Sequence, residues 1–243
     1  GVSAGYLSAL NLGEHRGDVP ENVRENYRRL GAALDIDPAK LVFSHQVHGA
    51  EVRAVTAADA HTLFAPVPYE ADGLVTNQMG LPLIIFIADC VPVLLCDPGH
   101  GVIAAVHCGW RSSVADILGA AVEKMRELGA ETAEIRAAIG PAIGVCCFET
   151  GANVPETLCA WLGERAEAFI YPAPKRKKKA EEKYFCDLKG ANRYRLLTLG
   201  LRAENIDVAV ACTMCERDKF WSHRATKGSR GSQAAVIQNC RGD

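Results

Sequence analysis

No apolar run in this 243-residue chain approaches the ~20 residues that a membrane-spanning helix needs; Leu83 to Ala88 is cut short by Asp89. Neither sign of charge dominates. The 27 Lys and Arg face 29 Asp and Glu, a formal net charge of −2, so nothing calls for a nucleic acid or an anionic membrane as partner. Ten cysteines in a chain this long are too sparse for a disulfide-stapled scaffold. Several sit in apolar runs, such as Cys96 after Leu94-Leu95, where a reduced thiol packs well, and this usage points to the cytoplasm. A secretory signal pattern is missing. The chain opens at Gly1-Val2-Ser3 without an initiator Met, so a truncated N-terminus is expected. Gly140-Pro141 and Gly144 follow a strand but match neither the P-loop nor the dinucleotide-binding glycine pattern.

What is present is a globular composition, 49% hydrophobic and 23% charged, long enough to bury a sizeable core. Asp18 caps and Pro20 opens a helix with Val23, Tyr27, Leu30 and Leu34 on one stripe. Strands are expected at Leu41 to Val47, Glu51 to Val55, Gly73 to Thr76 and Leu83 to Ala88. Val93 to Asp97 and Val102 to Val106, joined by Pro98-Gly99-His100-Gly101, read as a hairpin. A long helix runs from a cap at Ser112 or Ser113 to Leu128, ended by Gly129. A buried strand at Ile135 to Ile139, helices from near Pro155 and from Asp187 to about Leu199, and strands at Ile206 to Ala211 and Ala234 to Ile237 complete the chain. This interleaving implies the α/β (α+β) class: a single domain over residues 1–243, with layered mixed β-sheets and flanking helices.

The densest chemical signal is His48 in Gln46-Val47-His48-Gly49, Cys90 in Ala88-Asp89-Cys90, and His107 before Cys108-Gly109-Trp110. Two imidazoles and a thiol suffice to hold a zinc ion that keeps one position open. In the hairpin register Asp97 faces Val102 and Pro92 faces His107, with Pro92 ending the pairing. Cys90 then lies on the diagonal from His107, on the same face, about 7–8 Å away at the backbone. Taken singly, either residue also suits a buried core. Arg111 beside a helix N-terminus is a candidate phosphate or carboxylate clamp, or else a salt-bridge partner of Asp89 or Asp116. Cys212-Thr213-Met214-Cys215 is half a zinc site, a redox pair or incidental, because no second C-x-x-C exists; the adjacent Cys146 and Cys147 read as packing. His45 is a rim candidate, and His15, His61, His100 and His223 show no partners in the sequence. Lys175-Arg176-Lys177-Lys178-Lys179, with acids following at once, reads as a solvated loop.

Together these segments resemble the YfiH or laccase-domain family, whose members carry the labels polyphenol oxidase and purine nucleoside phosphorylase with adenosine deaminase activity. The resemblance runs through Ser8-Ala9-Leu10-Asn11-Leu12-Gly13, Gln46 to Gly49, Ala71 to Thr76, Ala88 to Cys90, His107 to Arg111, Ile139 to Pro141, Cys146 to Glu149, Asp187-Leu188, Ala191-Asn192, and Cys212-Thr213 with Cys215-Glu216. It implies a metal on His48, Cys90 and His107, with zinc expected and copper possible at the same site. It also implies purine nucleosides and phosphate as substrates. The candidate catalytic residues are then His48, Cys90, His107 and Asp89, with Asn11 and Arg111 as candidate substrate contacts, in a monomer or homodimer. The chain departs from the family pattern at Cys108, Ser112, Ala142 and Val145. It also lacks the usual arginine in Gly231-Ser232-Gln233 and the arginine-bearing segment ahead of Gly1.

A multicopper oxidase needs a histidine-rich trinuclear cluster, yet the seven histidines include no H-x-H pair. The expected chemistry is attack on a purine nucleoside by metal-activated phosphate or water, with Asp89 moving a proton or orienting a ligand histidine. A metal-free cysteine hydrolase with Cys90 as nucleophile and His107 as base, suited to amide hydrolysis in cell-wall precursor editing, is the alternative. Copper-dependent phenol oxidation and a non-catalytic, nucleotide-responsive role complete the set. Limited trypsinolysis of the folded protein should cut first within residues 175–179, since this charge run cannot be buried without partners; a first cut inside a predicted strand would contradict the loop assignment.

Overall fold

The computed structural model describes residues 1–174 and 181–240, so the lysine run lies outside the described residues. In chain order the elements are α1(Pro20–Leu34), β1(Val52–Ala54), β2(Gly73–Thr76), β3(Leu83–Ile87), β4(Val91–Asp97), β5(Val102–Cys108), α2(Trp110–Val114), α3(Ile117–Glu127), β6(Arg136–Ile139), β7(Glu149–Thr150), α4(Asn153–Leu162), β8(Ile170–Pro172), β9(Tyr184–Cys186), α5(Leu188–Thr198), β10(Ile206–Val208), α6(His223–Thr226) and β11(Gln233–Ile237). Six strands form a central mixed sheet in the order β1-β2-β5-β4-β6-β10, β11 pairs with β3, and β7-β9-β8 form a small third sheet.

Alternation along the strands sets up the layers, because successive side chains point to opposite faces. Val93, Leu95, Ala104 and Val106 pack against Ile117, Leu118, Val122 and Met125 of α3. Leu74, Ile103 and Ala105 face the other way, onto Leu83 and Ile85 of β3. The far side of the β3–β11 pair, at Ile84, Phe86 and Val236, is covered by Val23 and Tyr27 of α1. The protein is therefore layered as helix, large sheet, small sheet, helix. A central sheet buried on both faces explains why β5 is buried at every position and reads as a continuous apolar run.

The β4–β5 hairpin has the expected register, with Asp97 opposite Val102 and Pro92 opposite His107. Pairing continues one step further, to Val91 opposite Cys108. Pro92 removes one donor but its carbonyl still accepts from Gly140 N–H at 2.9 Å, so the ladder does not stop there. The expected strand at 41–47 is reduced to isolated bridges, Val42 with Leu83 and His45 with Glu70. Just beyond them the Gln46 side-chain amide takes over the backbone's role: it donates to Phe86 O at 2.9 Å and accepts from Phe86 N–H at 2.7 Å.

The long helix expected from 112 to 128 begins earlier and is broken. Gly109 precedes Trp110, and Asp116 interrupts the turn in the left-handed region at φ 64°. Asp is among the few residues that adopt this conformation readily. Its carboxylate grips Arg195 of α5 through two bonds of 2.6 Å, which ties the helical layer together. Gly119 leaves room for that carboxylate, since a Cβ there would lie 2.3 Å from Asp116 Oδ2.

Asp97 closes the hairpin. Fully buried, it accepts from the amides of Gly99, His100 and Glu131 and from the His100 ring at 2.8 Å. Burial pushes its carboxyl pKa up, but the Glu131 amide and the His100 contacts more than offset this and hold it below the ordinary value. Asp97→Ala should cost about 2–3 kcal/mol, read as a lower urea midpoint at unchanged slope. A carboxylate of depressed pKa stabilises above its unfolded pKa and loses that contribution as pH falls. The gap between wild type and variant should therefore shrink below about pH 4.

Candidate metal centre and cavity

The site gathers at one end of the central sheet, on the face that β5 turns toward β3. His107 comes from the end of β5 and Cys90 from the bend before β4, while His48 sits in the loop before β1. One ligand atom from each lies within 4.8 Å of the other two. Cys90 Sγ is 3.8 Å from His48 Nε2, and the two imidazole rings meet edge to face at 4.8 Å. Tetrahedral zinc with bonds of about 2.3 Å to sulfur and 2.0–2.1 Å to nitrogen would separate such donors by about 3.4–3.6 Å. The donor set and its spacing fit a metal of that class.

The backbone is unusual at both loop contributions. His48 has φ 61° and Asp89, immediately before Cys90, has φ 80°. Non-glycine residues in this region need over-determining contacts. For His48 these come from Asp72, whose carboxylate accepts the amides of Val47, His48 and Gly49 at 2.8–3.0 Å. The same carboxylate accepts His107 Nδ1–H at 2.7 Å, which leaves Nε2 for the site. Gly109 completes the fit: a Cβ there would lie 2.9 Å from the His48 ring and 3.4 Å from Cys90 Sγ.

Charge follows from these contacts. Burial raises the Cys90 pKa, but bonds to His107 and His48 outweigh it and bring it down to about 6. Burial alone would depress His107, yet Asp72 and Cys90 raise it to about 9. Without a metal, the pair is thus a thiolate beside an imidazolium. Asp72 is fully buried, but the His107 and backbone bonds hold its pKa below the ordinary carboxylate value.

Several expected roles need correction. Asp89 does not orient a ligand histidine. Its Oδ1 is taken by Thr213 Oγ1–H at 2.6 Å, and its Oδ2 by Ser222 Oγ–H and the Arg224 amide. Both oxygens are committed, so it braces the Cys90 turn, and Asp72 is the carboxylate behind the histidines. Asn11 is fully buried in a structural network, accepting from Gly13 and Ser232 and donating to Asp18. Arg111 is exposed over the Trp110 ring at 4.4 Å and does not line the cavity; it pairs with neither Asp89 nor Asp116. His100, without a partner in sequence terms, bonds Asp97.

A cavity of about 940 Å³ opens onto His48, Cys90 and His107, walled by the aromatics Phe86, Trp110 and Phe148 and by Arg16, Arg224 and Arg230. Arg224 is spent on the Glu149 carbonyl at 2.8 Å. Arg16 and Arg230 converge on Ser232, whose Oγ is 3.2 Å from Arg16 Nε and 3.5 Å from an Arg230 nitrogen. Burial and the nearby Arg16 lower the Arg230 pKa to about 10, which leaves it charged at neutral pH. Its Nε is buried with no hydrogen-bond partner among the described residues. Arg230 precedes Gly231-Ser232-Gln233, where no arginine was expected to serve the site.

A family model described as "Multi-copper polyphenol oxidoreductase laccase" matches residues 1–240. The chain belongs to the YfiH/laccase-domain family. Among relatives, "Purine nucleoside phosphorylase YlmD" of Geobacillus stearothermophilus is 37% identical over 98% of this chain and 86% of its own length. "Purine nucleoside phosphorylase YfiH" of Escherichia coli is 35% identical over 98% of this chain and 89% of its own. A solved structure of the YfiH protein of Bacillus licheniformis superposes with a TM-score of 0.89 at 32% identity, covering 98% of this chain and 88% of that one. The layered mixed α/β architecture is thus the family's own. No described helix is long and apolar enough to cross a membrane.

Asp72→Asn would set an amide NH₂ against backbone donors and weaken the hold on His107. It should lower metal affinity about 10–100-fold with the fold retained, measured by competition with a chromogenic chelator; unchanged affinity would refute the bracing role.

Proposed function

We propose that the cavity is the active site of a zinc-dependent purine nucleoside phosphorylase that also deaminates adenosine. One observation carries this reading: the His48–Cys90–His107 trio and the Arg16–Arg230 pair open onto the same cavity. Two guanidiniums converging on one serine favour a shared anion between them, and phosphate suits their fork geometry. The names of the relatives support the nucleoside half of the reading.

Zinc, when bound by the trio, supplies a Lewis acid for an oxygen nucleophile. Arg16 and Arg230 hold and orient phosphate, and the aromatic walls receive the purine. In phosphorolysis a phosphate oxygen bonds to C1′ while the bond from C1′ to the base breaks. The base leaves with the electron pair and takes up a proton, and ribose-1-phosphate remains. In deamination water replaces the C6 amino group, giving inosine and ammonia. Asp72 keeps His107 in the tautomer whose Nε2 faces the site throughout.

The cysteine-hydrolase reading rests on its own observation, the Cys90 sulfur within 4.8 Å of a His107 ring nitrogen, a nucleophile beside a base. Metal content separates the two, because a thiolate engaged as a ligand is not free to attack. For a laccase, the described residues offer two ligand clusters, and only one of them contains histidine.

A strong chelator should abolish both phosphorolysis and deamination, and added zinc should restore them. Cys90→Ser should lose this site's metal and nearly all turnover. Arg230→Gln should raise KM for phosphate about 10–100-fold, the worth of a charged hydrogen bond, while sparing deamination; Arg111→Ala should change neither. Absence of nucleoside turnover in metal-replete protein, or oxygen-consuming phenol oxidation in its place, would overturn the proposal.

A further inference from the structure

Four thiols outside the cavity meet at one point. Cys146 and Cys147 come from the loop after β6, Cys212 and Cys215 from the loop after β10, and their Sγ atoms all lie within 4.8 Å of one another. Cys215 Sγ is 3.6 Å from Cys146 Sγ and 3.5 Å from Cys147 Sγ. A disulfide would bring two sulfurs to about 2.05 Å. Four sulfurs each about 2.3 Å from a central zinc would sit about 3.8 Å apart, close to the observed spacing. The sequence showed one C-x-x-C without a mate; the tertiary fold supplies the mate as the adjacent pair Cys146-Cys147, whose side chains converge rather than diverge.

Packing does not account for the cluster. Cys146 and Cys215 are exposed and Cys147 is half-buried, so these thiols gain little by leaving water. Only Cys212 is buried, and its sulfur accepts the Gly144 amide at 3.1 Å, a backbone bond that favours a thiolate. Tetrahedral all-sulfur coordination selects zinc or iron, and a closed set of four protein ligands is the form of a structural site.

We propose that Cys146, Cys147, Cys212 and Cys215 form a second metal site, a structural zinc centre separate from the His48–Cys90–His107 trio. Its place in the fold gives it a task. The two loops it would join are already stitched by Thr213 N–H to Ala142 O at 3.0 Å, and both reach Asp89: Ile143 N–H donates to its carbonyl and Thr213 Oγ1–H to its carboxylate. Asp89 holds the strained turn that presents Cys90. A metal here staples the base on which Cys90 rests, by fixing two loops that are otherwise far apart in sequence. The proposal is independent of the nucleoside chemistry.

The test is metal analysis of protein purified under reducing conditions without added metal. Wild type should carry two zinc ions per chain. Cys90→Ser should keep one, and X-ray absorption on that variant should show a shell of four sulfurs at about 2.3 Å. The double variant Cys212→Ser/Cys215→Ser should also keep one, with a lower Tm. The Cys90→Ser measurement stands even if the double variant does not fold. A metal-free Cys90→Ser protein, iron in place of zinc, or a native mass revealing a disulfide among the four cysteines would each overturn the assignment.

Discussion

The Asp72 carboxylate is the contact on which the site depends. A buried carboxylate is costly unless its lone pairs are filled, and here three consecutive amides and one imidazole fill them. Those bonds do two things at once. They hold the chain at His48 in a left-handed conformation that a histidine rarely adopts, and they fix the tautomer of His107. Two candidate ligands on distant segments are thereby oriented by a single group at the start of a central strand. Its position is in turn secured by the pairing of β2 with β5, in which Gly73, the next residue, lies opposite Val106.

The third candidate ligand, Cys90, is held by a second carboxylate in a different way. Asp89 contacts no ligand histidine; it draws Thr213, Ser222 and the Arg224 amide onto the turn before Cys90. Loops following β6 and β10 and the segment around α6 thus converge beneath one thiol. The cavity above it is lined by nitrogen and sulfur donors, by aromatic side chains and by two arginines that share a serine. On the proposed reading, a metal on the trio and an anion on the arginines would separate this cavity from a copper oxidase, which needs clustered histidines.

How much of this was legible depended on distance along the chain. The hairpin was, because its register follows from a short loop and two apolar runs, and with it came the juxtaposition of Cys90 and His107. The broken helix was not: its apolar stripe continues across Asp116, and only the bond to Arg195, 79 positions away, explains the interruption. The strand expected at 41–47 failed for a related reason, since Gln46 replaces backbone pairing with a side-chain amide, a substitution that propensity does not register. Arg111 read as an anion clamp or a salt-bridge partner because it stands beside a helix N-terminus, but proximity in sequence does not say where a guanidinium points. Arg16 and Arg230 meet only because the N-terminal loop and the approach to β11 fold together at Ser232.

The class of fold, the layering implied by alternating strands and the choice of His48, Cys90 and His107 as a cluster of donor side chains were legible in the sequence, because periodicity and donor chemistry are properties of local segments. Tertiary structure decided which carboxylate serves the histidines, which arginines face the cavity, and that four cysteines from two loops share one point. Each of those is a matter of side-chain direction between segments distant along the chain, and direction is set by strand pairing and packing that no short stretch of sequence contains.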